Sequence, residues 1–180
     1  VNIAVVLLRH LSNFTDFNVL EQDKRVHLYY TNNTEEIEKA DIVIIPGSKS
    51  TLADLYELRR NGVAQSIVKA YKSGATVMGI CGGFQLMGQA VSDPMHVEGD
   101  IEQLPGLGLL PITTRMLGDK VTRQVKFRFL DSVNGCDGYE IHMGETAAID
   151  SVKESPLNFL QDGRKDGFYL NDKCFGTYIH

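Results

Sequence analysis

The segment Thr76-Val-Met-Gly-Ile-Cys-Gly-Gly-Phe-Gln-Leu-Met-Gly88 decides the fold of this chain. Its first five residues make an apolar run of the length of a buried strand, and the residues after Gly83 have helical character. The turn between them, Gly79-Ile-Cys-Gly-Gly83, has the layout of a nucleophile elbow. Glycines are required on both sides of the nucleophile because side chains there would collide with the strand and the helix. The segment therefore predicts a strand, a sharp turn that carries Cys81, and a helix.

Short β-rich runs alternate with helical segments through the first half of the chain, which is typical of a parallel sheet covered by helices. Strands are predicted at residues 2–8, 26–30, 41–45 and 76–80, and helices at residues 34–40, 51–61 and 63–73. Gly62 and Gly74 are placed to end the last two helices. After residue 91 the chain becomes rich in turns, and runs such as 124–129 indicate antiparallel strands. We therefore predict an α/β fold: a doubly wound, mostly parallel sheet with helices on both faces and extra antiparallel strands in the second half.

Two local patterns refine the second half of the chain. Ser155-Pro156 predicts the start of a short helix, with serine as the N-cap and proline at the first helical position. Residues 168–180 predict a hairpin that turns at Asn171-Asp172.

The size and charge of the chain exclude several classes of protein. Its 180 residues, 43% of them hydrophobic, suffice for one core, so we expect one domain over residues 1–180. A formal charge of -5 argues against nucleic acid or an anionic membrane as a partner, because both would repel the protein. No apolar run approaches the roughly 20 residues that span a bilayer. Because the chain begins without Met and ends inside a strand pattern, we expect it to be a piece of a larger protein.

Cysteine spacing indicates a reducing environment. Cys81, Cys136 and Cys174 form no C-x-x-C pair, which fits neither a disulfide framework nor a zinc site. We therefore expect a cytoplasmic protein that binds no metal in this domain. Cys81 is the candidate nucleophile, since a helix N-terminus stabilises a thiolate and lowers its pKa. The elbow alone leaves open the alternative of a small buried cysteine at the end of a core strand.

A second strand end lies at Ile44-Ile-Pro-Gly-Ser-Lys-Ser-Thr51. Ligands gather at the carboxyl ends of the strands in doubly wound sheets, so this loop and the elbow can face one pocket. The backbone amides of Gly47, Ser48 and Gly82 are therefore the candidate oxyanion hole. The loop lacks the G-x-x-x-x-G-K-[ST] spacing of a phosphate loop, but a simple turn with a helix cap is an alternative.

A thiolate nucleophile needs a base that titrates near neutral pH, and the chain has five histidines. His10, His27 and His96 have polar neighbours and are expected on the surface. His142 and His180 lie on strand patterns bounded by glycine. The pattern alone does not choose between these two.

Five segments in the same order resemble the class I glutamine amidotransferase domain of cobyric acid synthases over essentially the whole chain. They are Leu11-Ser-Asn-Phe-Thr-Asp-Phe17, Pro46-Gly-Ser-Lys-Ser-Thr51, Gly79-Ile-Cys-Gly-Gly-Phe-Gln-Leu-Met-Gly88, Gly138-Tyr-Glu-Ile-His-Met-Gly144 and Gly176-Thr-Tyr-Ile-His180. The resemblance implies a flavodoxin-like fold in which Cys81 forms a thioester with L-glutamine and His180 is the base. It also implies a preceding ATP-dependent amidoligase domain, holding ATP and Mg, that uses the ammonia to amidate carboxylates of a corrinoid in cobalamin biosynthesis. No cofactor is expected in the present domain.

The resemblance has limits. Glu145 stands where the family pattern leads us to expect arginine, so an anion contact there is in doubt. The family is described as a Cys-His pair, and we assign no third catalytic residue; Lys49, Glu140 and His142 are candidate supporting residues. The alternatives are a docking or regulatory domain without activity, and a glutaminase subunit for a cell-wall precursor ligase. The segment Ser12-Asn-Phe-Thr-Asp-Phe17 argues against the cell-wall enzyme.

Overall fold

The computed structural model describes residues 1–180, and a six-stranded sheet forms its centre. The strands of this sheet are β1 (Asn2–Val6), β2 (His27–Thr31), β3 (Ile42–Ile45), β4 (Thr76–Ile80), β11 (Phe168–Asn171) and β12 (Cys174–Thr177). Their order is β11-β12-β4-β3-β1-β2, and every neighbouring pair is parallel except the edge hairpin β11-β12. The predicted mostly parallel sheet and the predicted C-terminal hairpin are confirmed, but the hairpin turns at Asp172-Lys173, one residue later than predicted.

Helices cover both faces of this sheet. They are α1 (Asn18–Gln22), α2 (Thr34–Glu38), α3 (Thr51–Arg60), α4 (Val63–Lys72) and α5 (Gly82–Leu86). Successive strand residues point to opposite faces, so Ala4 and Val6 pack in the large core with α2, α3 and α4, whereas Val5 packs with Phe17 before α1. Glycines follow the ends of α3 and α4, as predicted: Gly62 has φ 85° and Gly74 has φ 101°. No helix combines the length and the apolar character needed to cross a membrane.

A second sheet contains the extra strands predicted for the second half. These strands are β5 (Ala90–Ser92), β6 (Gln103–Pro105), β7 (Ile112–Phe129), β8 (Cys136–Ala148), β9 (Asn158–Leu160) and β10 (Lys165–Asp166). The long strands β7 and β8 pair antiparallel, with a register shift between Arg115 and Lys120. Strand β8 passes beside the end of β4 and places the Ile141 carbonyl oxygen 3.2 Å from the sulfur of Cys81.

The helix predicted after Ser155-Pro156 is wrong. The chain there is irregular and enters β9 at Asn158. The Ser155 hydroxyl donates to the carbonyl oxygen of Tyr169 at 2.6 Å, so it caps no helix. Contact with the edge hairpin outweighs the local capping pattern.

Candidate active site

Cys81 lies in a strained turn between β4 and α5. Its φ is 53° and its ψ is −112°, a backbone conformation that residues other than glycine rarely adopt. The turn is held because the Cys81 amide donates to Thr177 O at 2.8 Å and Gln85 N donates to Cys81 O at 3.1 Å. A Cβ on Gly79 would lie 2.6 Å from the carbonyl oxygen of Gly83, and one on Gly83 would overlap the Ile45 carbonyl. The elbow therefore needs both glycines, as predicted.

His180 and Cys81 both lie beside Gly47. A Cβ built on Gly47 would be 3.5 Å from His180 Cε1 and 3.7 Å from Cys81 Cβ. The His180 side chain is fully buried, and its ring stacks on Tyr139 with centroids 4.9 Å apart. The structure thus brings together the two residues that the resemblance names as nucleophile and base.

The side chain that orients His180 is Asp16, which was not predicted as a site residue. Asp16 Oδ2 lies 2.6 Å from His180 Nδ1, and Tyr139 donates its hydroxyl to Asp16 Oδ1 at 3.3 Å. The amide nitrogen of Asn13 lies 3.4 Å from both ring nitrogens of His180. The available signal was the position of the Asn13–Asp16 segment just beyond β1, whose carboxyl end shares an edge of the sheet with the elbow.

The three predicted oxyanion donors lie next to Cys81. A Cβ on Gly82 would be 2.8 Å from Ser48 N, so the loop after β3 packs directly on the start of α5. The Ser48 hydroxyl donates to Asp54 at 2.6 Å. The neighbouring Lys49 is exposed. The Ser48 amide therefore lies close to Gly82, whose own amide hydrogen-bonds to the Cys81 sulfur.

A cavity of about 240 Å³ opens in front of Cys81. It is smaller than the roughly 300–1,000 Å³ typical of drug-sized ligands and therefore suits a small metabolite. Among the residues that line it are Cys81, Ser48, Lys49, Gln85, Glu98 and Lys120. Its wall therefore carries one carboxylate and two ammonium groups.

Burial raises the pKa of the Cys81 thiol to about 12, and the charges of Asp16 and Glu98 add to this effect. The Gly82 amide and Lys120 act in the opposite direction but are outweighed. The pKa shift is thus opposite to the lowering that we predicted from the helix N-terminus. A raised pKa favours the thiol form, which can donate to the carbonyl oxygen of Ile141.

Glu140 does not contact His180, despite its place in the Gly-Tyr-Glu-Ile-His-Met-Gly segment. Its carboxylate is 6% exposed and pairs with Arg164 Nη1 at 3.1 Å and with Arg123 Nε at 3.4 Å. Only its backbone approaches the site, through a bridge to Ile179. Glu140 therefore anchors β8 rather than orienting the base.

The remaining histidines occupy three different environments. The His142 ring stacks on Tyr178 at 3.7 Å, its Nδ1 has no hydrogen-bond partner, and burial lowers its pKa. His142 lines both the pocket of Cys81 and a separate cavity of about 920 Å³. His27 and His96 are exposed, as predicted, but His10 is half-buried because its Nδ1 lies 2.9 Å from Asp54.

Two further side chains complete the description of the site. The buried side chain of Gln85 donates to Met143 O at 2.8 Å and to the Tyr178 hydroxyl at 3.1 Å, which ties α5 to β8. Glu145 is exposed and lies opposite Arg115 across the β7-β8 pair.

Comparison with known proteins gives consistent matches. The family model of the CobB/CobQ-like glutamine amidotransferase domain matches residues 2–180. The chain is 71% identical over its whole length to a cobyric acid synthase of Bacteroides fragilis and 67% identical to one of Phocaeicola vulgatus, and it spans 36% of each. Its fold is similar to that of a crystal structure of a glutamine amidotransferase, with TM-score 0.71, 16% identity, and 99% and 89% of the two chains covered. It is also similar to PurLQS from Thermotoga maritima, with TM-score 0.70, 19% identity, and 99% and 86% covered.

Proposed function

This chain belongs to the CobB/CobQ-like glutamine amidotransferase family, and from that premise we propose that it hydrolyses L-glutamine through a thioester on Cys81. The observation that carries the proposal is that Cys81 and the fully buried His180 lie together beside Gly47. A nucleophile with a base and amide donors beside it provides the parts that acyl transfer requires, and Cys81, Ser48 and Gly82 also line the small cavity.

The chemistry begins with proton transfer from the Cys81 thiol to Nε2 of His180. The thiolate attacks the side-chain amide carbon of glutamine, and the carbonyl oxygen becomes an oxyanion that accepts hydrogen bonds from the amides of Gly47, Ser48 and Gly82. His180 then gives its proton to the departing nitrogen, which leaves as ammonia and a glutamyl thioester remains. Water attacks the thioester with His180 as base, which releases glutamate and restores the thiol.

Asp16 acts as the third member of this arrangement. Asp16 accepts a hydrogen bond from Nδ1 of His180, which favours the tautomer with the proton on Nδ1. In this tautomer Nε2 is free to take the proton of the thiol. The Asp16 carboxylate also stabilises the imidazolium that forms. Stacking on Tyr139 fixes the plane of the His180 ring.

The resting site holds its nucleophile as a thiol. Burial disfavours the thiolate, and Cys81 donates to Ile141 O on β8 rather than to His180. Binding of glutamine between β8 and the elbow would replace this contact and bring the sulfur to the base. Proton transfer therefore accompanies substrate binding.

The charges of the cavity match those of a free α-amino acid. Glu98 can bind the α-ammonium group of glutamine, and Lys120 and Lys49 can bind its α-carboxylate, since all three line the cavity. Glu98 and Lys120 are both close enough to Cys81 to affect its pKa. An amide without these charged groups would leave Glu98 without its proposed cationic partner.

We propose that the ammonia serves a ligase reaction elsewhere in a longer cytoplasmic protein. The supporting observation is that relatives named cobyric acid synthase are matched over 36% of their length. In this proposal a preceding synthetase domain holds ATP and Mg, activates corrin carboxylates and receives the ammonia. The present domain binds glutamine, uses no cofactor and contacts no nucleic acid or membrane.

The experiment that tests the proposal treats the full-length protein with a diazo-ketone analogue of glutamine, followed by intact mass and peptide mapping. A single adduct on Cys81 that glutamine suppresses is expected, with none on the exposed Cys136 or the buried Cys174. A Cys81→Ser variant should form no adduct and no glutamate. An unlabelled wild-type protein that also makes no glutamate would instead support the docking or regulatory function.

A further inference from the structure

The carboxylate of Asp54 joins two loops of the catalytic pocket. Asp54 lies in the first turn of α3, and its side chain is 1% exposed. It accepts the Ser48 hydroxyl at 2.6 Å. It also accepts the His10 amide at 3.2 Å, and His10 Nδ1 lies 2.9 Å away. One buried carboxylate therefore contacts both the loop after β1 and the loop after β3.

Backbone contacts continue the same junction. Ser12 N donates to Gly47 O at 3.0 Å, Lys49 N donates to His10 O at 2.9 Å, and Leu11 forms an antiparallel bridge with Ser48. The loop after β1 leads on to the aspartate that orients the base. The loop after β3 carries two of the three proposed oxyanion donors.

Capping of α3 does not account for Asp54. The Leu52 amide, in the first turn of this helix, donates to Glu98 Oε2 at 3.0 Å. The hydrogen-bond partners of the Asp54 side chain, Ser48 and His10, both lie outside the helix. The buried charge is therefore directed at the two loops, where a charged acceptor makes stronger hydrogen bonds than a neutral one.

We infer that Asp54 is a positioning residue for glutamine hydrolysis, which holds the Gly47 and Ser48 amides where the oxyanion forms. The inference rests on the proposed function. Oxyanion stabilisation depends on donors fixed at about 2.7–3.1 Å from the oxygen, and a displacement of about 1 Å can lower the rate by roughly 10²-fold. Loss of the Asp54 charge would weaken the hold on the Ser48 hydroxyl, whose other contact is the Ser50 amide at 3.0 Å, and would allow that displacement.

The test compares Asp54→Asn with wild type in the full-length protein. We expect kcat for glutamine to fall by about 10- to 100-fold while KM changes by less than about threefold. Inhibition by the γ-aldehyde analogue of glutamine should weaken in parallel, because its adduct with Cys81 carries an oxyanion. The rate of Cys81 alkylation by iodoacetamide should stay within about twofold, since displacement of iodide forms no oxyanion.

Further variants separate positioning from folding. Glu140→Gln removes another buried carboxylate, which pairs with Arg123 and Arg164, and should keep a wild-type ratio of glutaminase to alkylation rate. Ser48→Ala keeps the backbone amide and should lower kcat as Asp54→Asn does. The double variant should be no more than about twofold slower than Asp54→Asn, because both changes break the same hydrogen bond between Ser48 and Asp54. If Asp54→Asn does not fold, Ser48→Ala carries the same test.

Two outcomes are distinct. Wild-type activity in both Asp54→Asn and Ser48→Ala, or an equal loss of glutaminase and alkylation rates in both, would overturn the inference and leave the proposed function standing. A wild-type protein that makes no glutamate and takes no adduct on Cys81 would overturn the proposed function itself.

Discussion

The Nδ1 atom of His180 lies 2.6 Å from Oδ2 of Asp16, although 164 residues separate the two in the chain. The contact forms because β12 lies beside β4 and the loop after β1 reaches the same edge of the central sheet. An acidic partner on Nδ1 favours the tautomer of His180 in which the other ring nitrogen is unprotonated. The contact therefore orients the His180 ring, a role for which the sequence pattern indicated no residue.

Replacement of Asp16 by asparagine should lower kcat by roughly 10²- to 10⁴-fold with little change in KM. The asparagine amide can donate to Nδ1 and would favour the tautomer whose Nε2 already carries a proton. Glutamate release measures the effect. Tyr139→Phe, which removes only the 3.3 Å hydrogen bond to Asp16, is the control and should change kcat less than about fivefold. An Asp16→Asn enzyme as active as wild type would remove Asp16 from the mechanism.

Alkylation of Cys81 by iodoacetamide should depend steeply on pH. Because burial raises the pKa of this thiol to about 12, the thiolate fraction should rise about tenfold per pH unit from pH 7 to 10 without levelling off. Peptide-resolved mass spectrometry gives the rate, with the exposed Cys136 as an internal reference that should react faster. A plateau below pH 8 would mean that the nucleophile is already ionised at rest.

The same raised pKa predicts how stability depends on pH. The folded state keeps the Cys81 proton more tightly than the unfolded state does, so this stabilisation is complete below the ordinary thiol pKa and is lost as pH rises toward about 12. Burial also raises the pKa of Cys174 to about 12, so Cys174 must be present in both proteins that are compared. Urea unfolding should therefore show that wild type loses more stability than Cys81→Ala between pH 8 and 10. Parallel curves for the two proteins would contradict the shift.

Gly83→Ala should unfold the elbow. The new methyl group would overlap the Ile45 carbonyl oxygen, and overpacking against backbone costs about 3 kcal/mol or more. Gly135→Ala is the matched control, since nothing lies within 4 Å of its Cβ position, and its stability should stay within about 0.5 kcal/mol of wild type. Urea denaturation measures both. Equal stability of the two variants would show that β4 and α5 can separate without cost.

Glu140→Gln should affect stability more than catalysis. The carboxylate is buried, but its partners Arg164 and Arg123 are 38% and 48% exposed, so solvent screening limits the loss to roughly 1–2 kcal/mol. Because Glu140 makes no side-chain contact with His180, kcat should remain within about threefold of wild type. Steady-state kinetics and urea denaturation of one preparation check both statements. A drop in kcat comparable to that of Asp16→Asn would reassign the third residue.

Lys120→Met should raise KM for glutamine about tenfold and leave kcat within about threefold, because the contact to the α-carboxylate is equally strong in the bound substrate and the transition state. The variant should also lose the preference for glutamine over glutaminamide, which lacks that carboxylate. Lys126→Met, on the same strand but paired with Asp137, is the control and should keep both properties. Unchanged selectivity in Lys120→Met would place the carboxylate elsewhere.

Much of the molecule follows from local sequence. The apolar run before Gly79, the glycines around Cys81 and the alternation of strands and helices specify the elbow and the parallel sheet, because these depend on sterics and periodicity over a few residues. Ligand sites in such sheets gather at the carboxyl ends of the strands, so the meeting of the Gly47 loop with Cys81 was also predictable. The choice of His180 over His142 depended on resemblance to a family.

Only the tertiary structure decided which distant side chains meet and how deeply they are buried. Asp16 rather than Glu140 orients His180, because the loop after β1 reaches the ring while two arginines hold the Glu140 carboxylate. The Cys81 pKa rises instead of falling, because desolvation by burial outweighs the hydrogen bond from the Gly82 amide. Hydrogen bonding and desolvation act through space, whereas sequence patterns report only on neighbours along the chain.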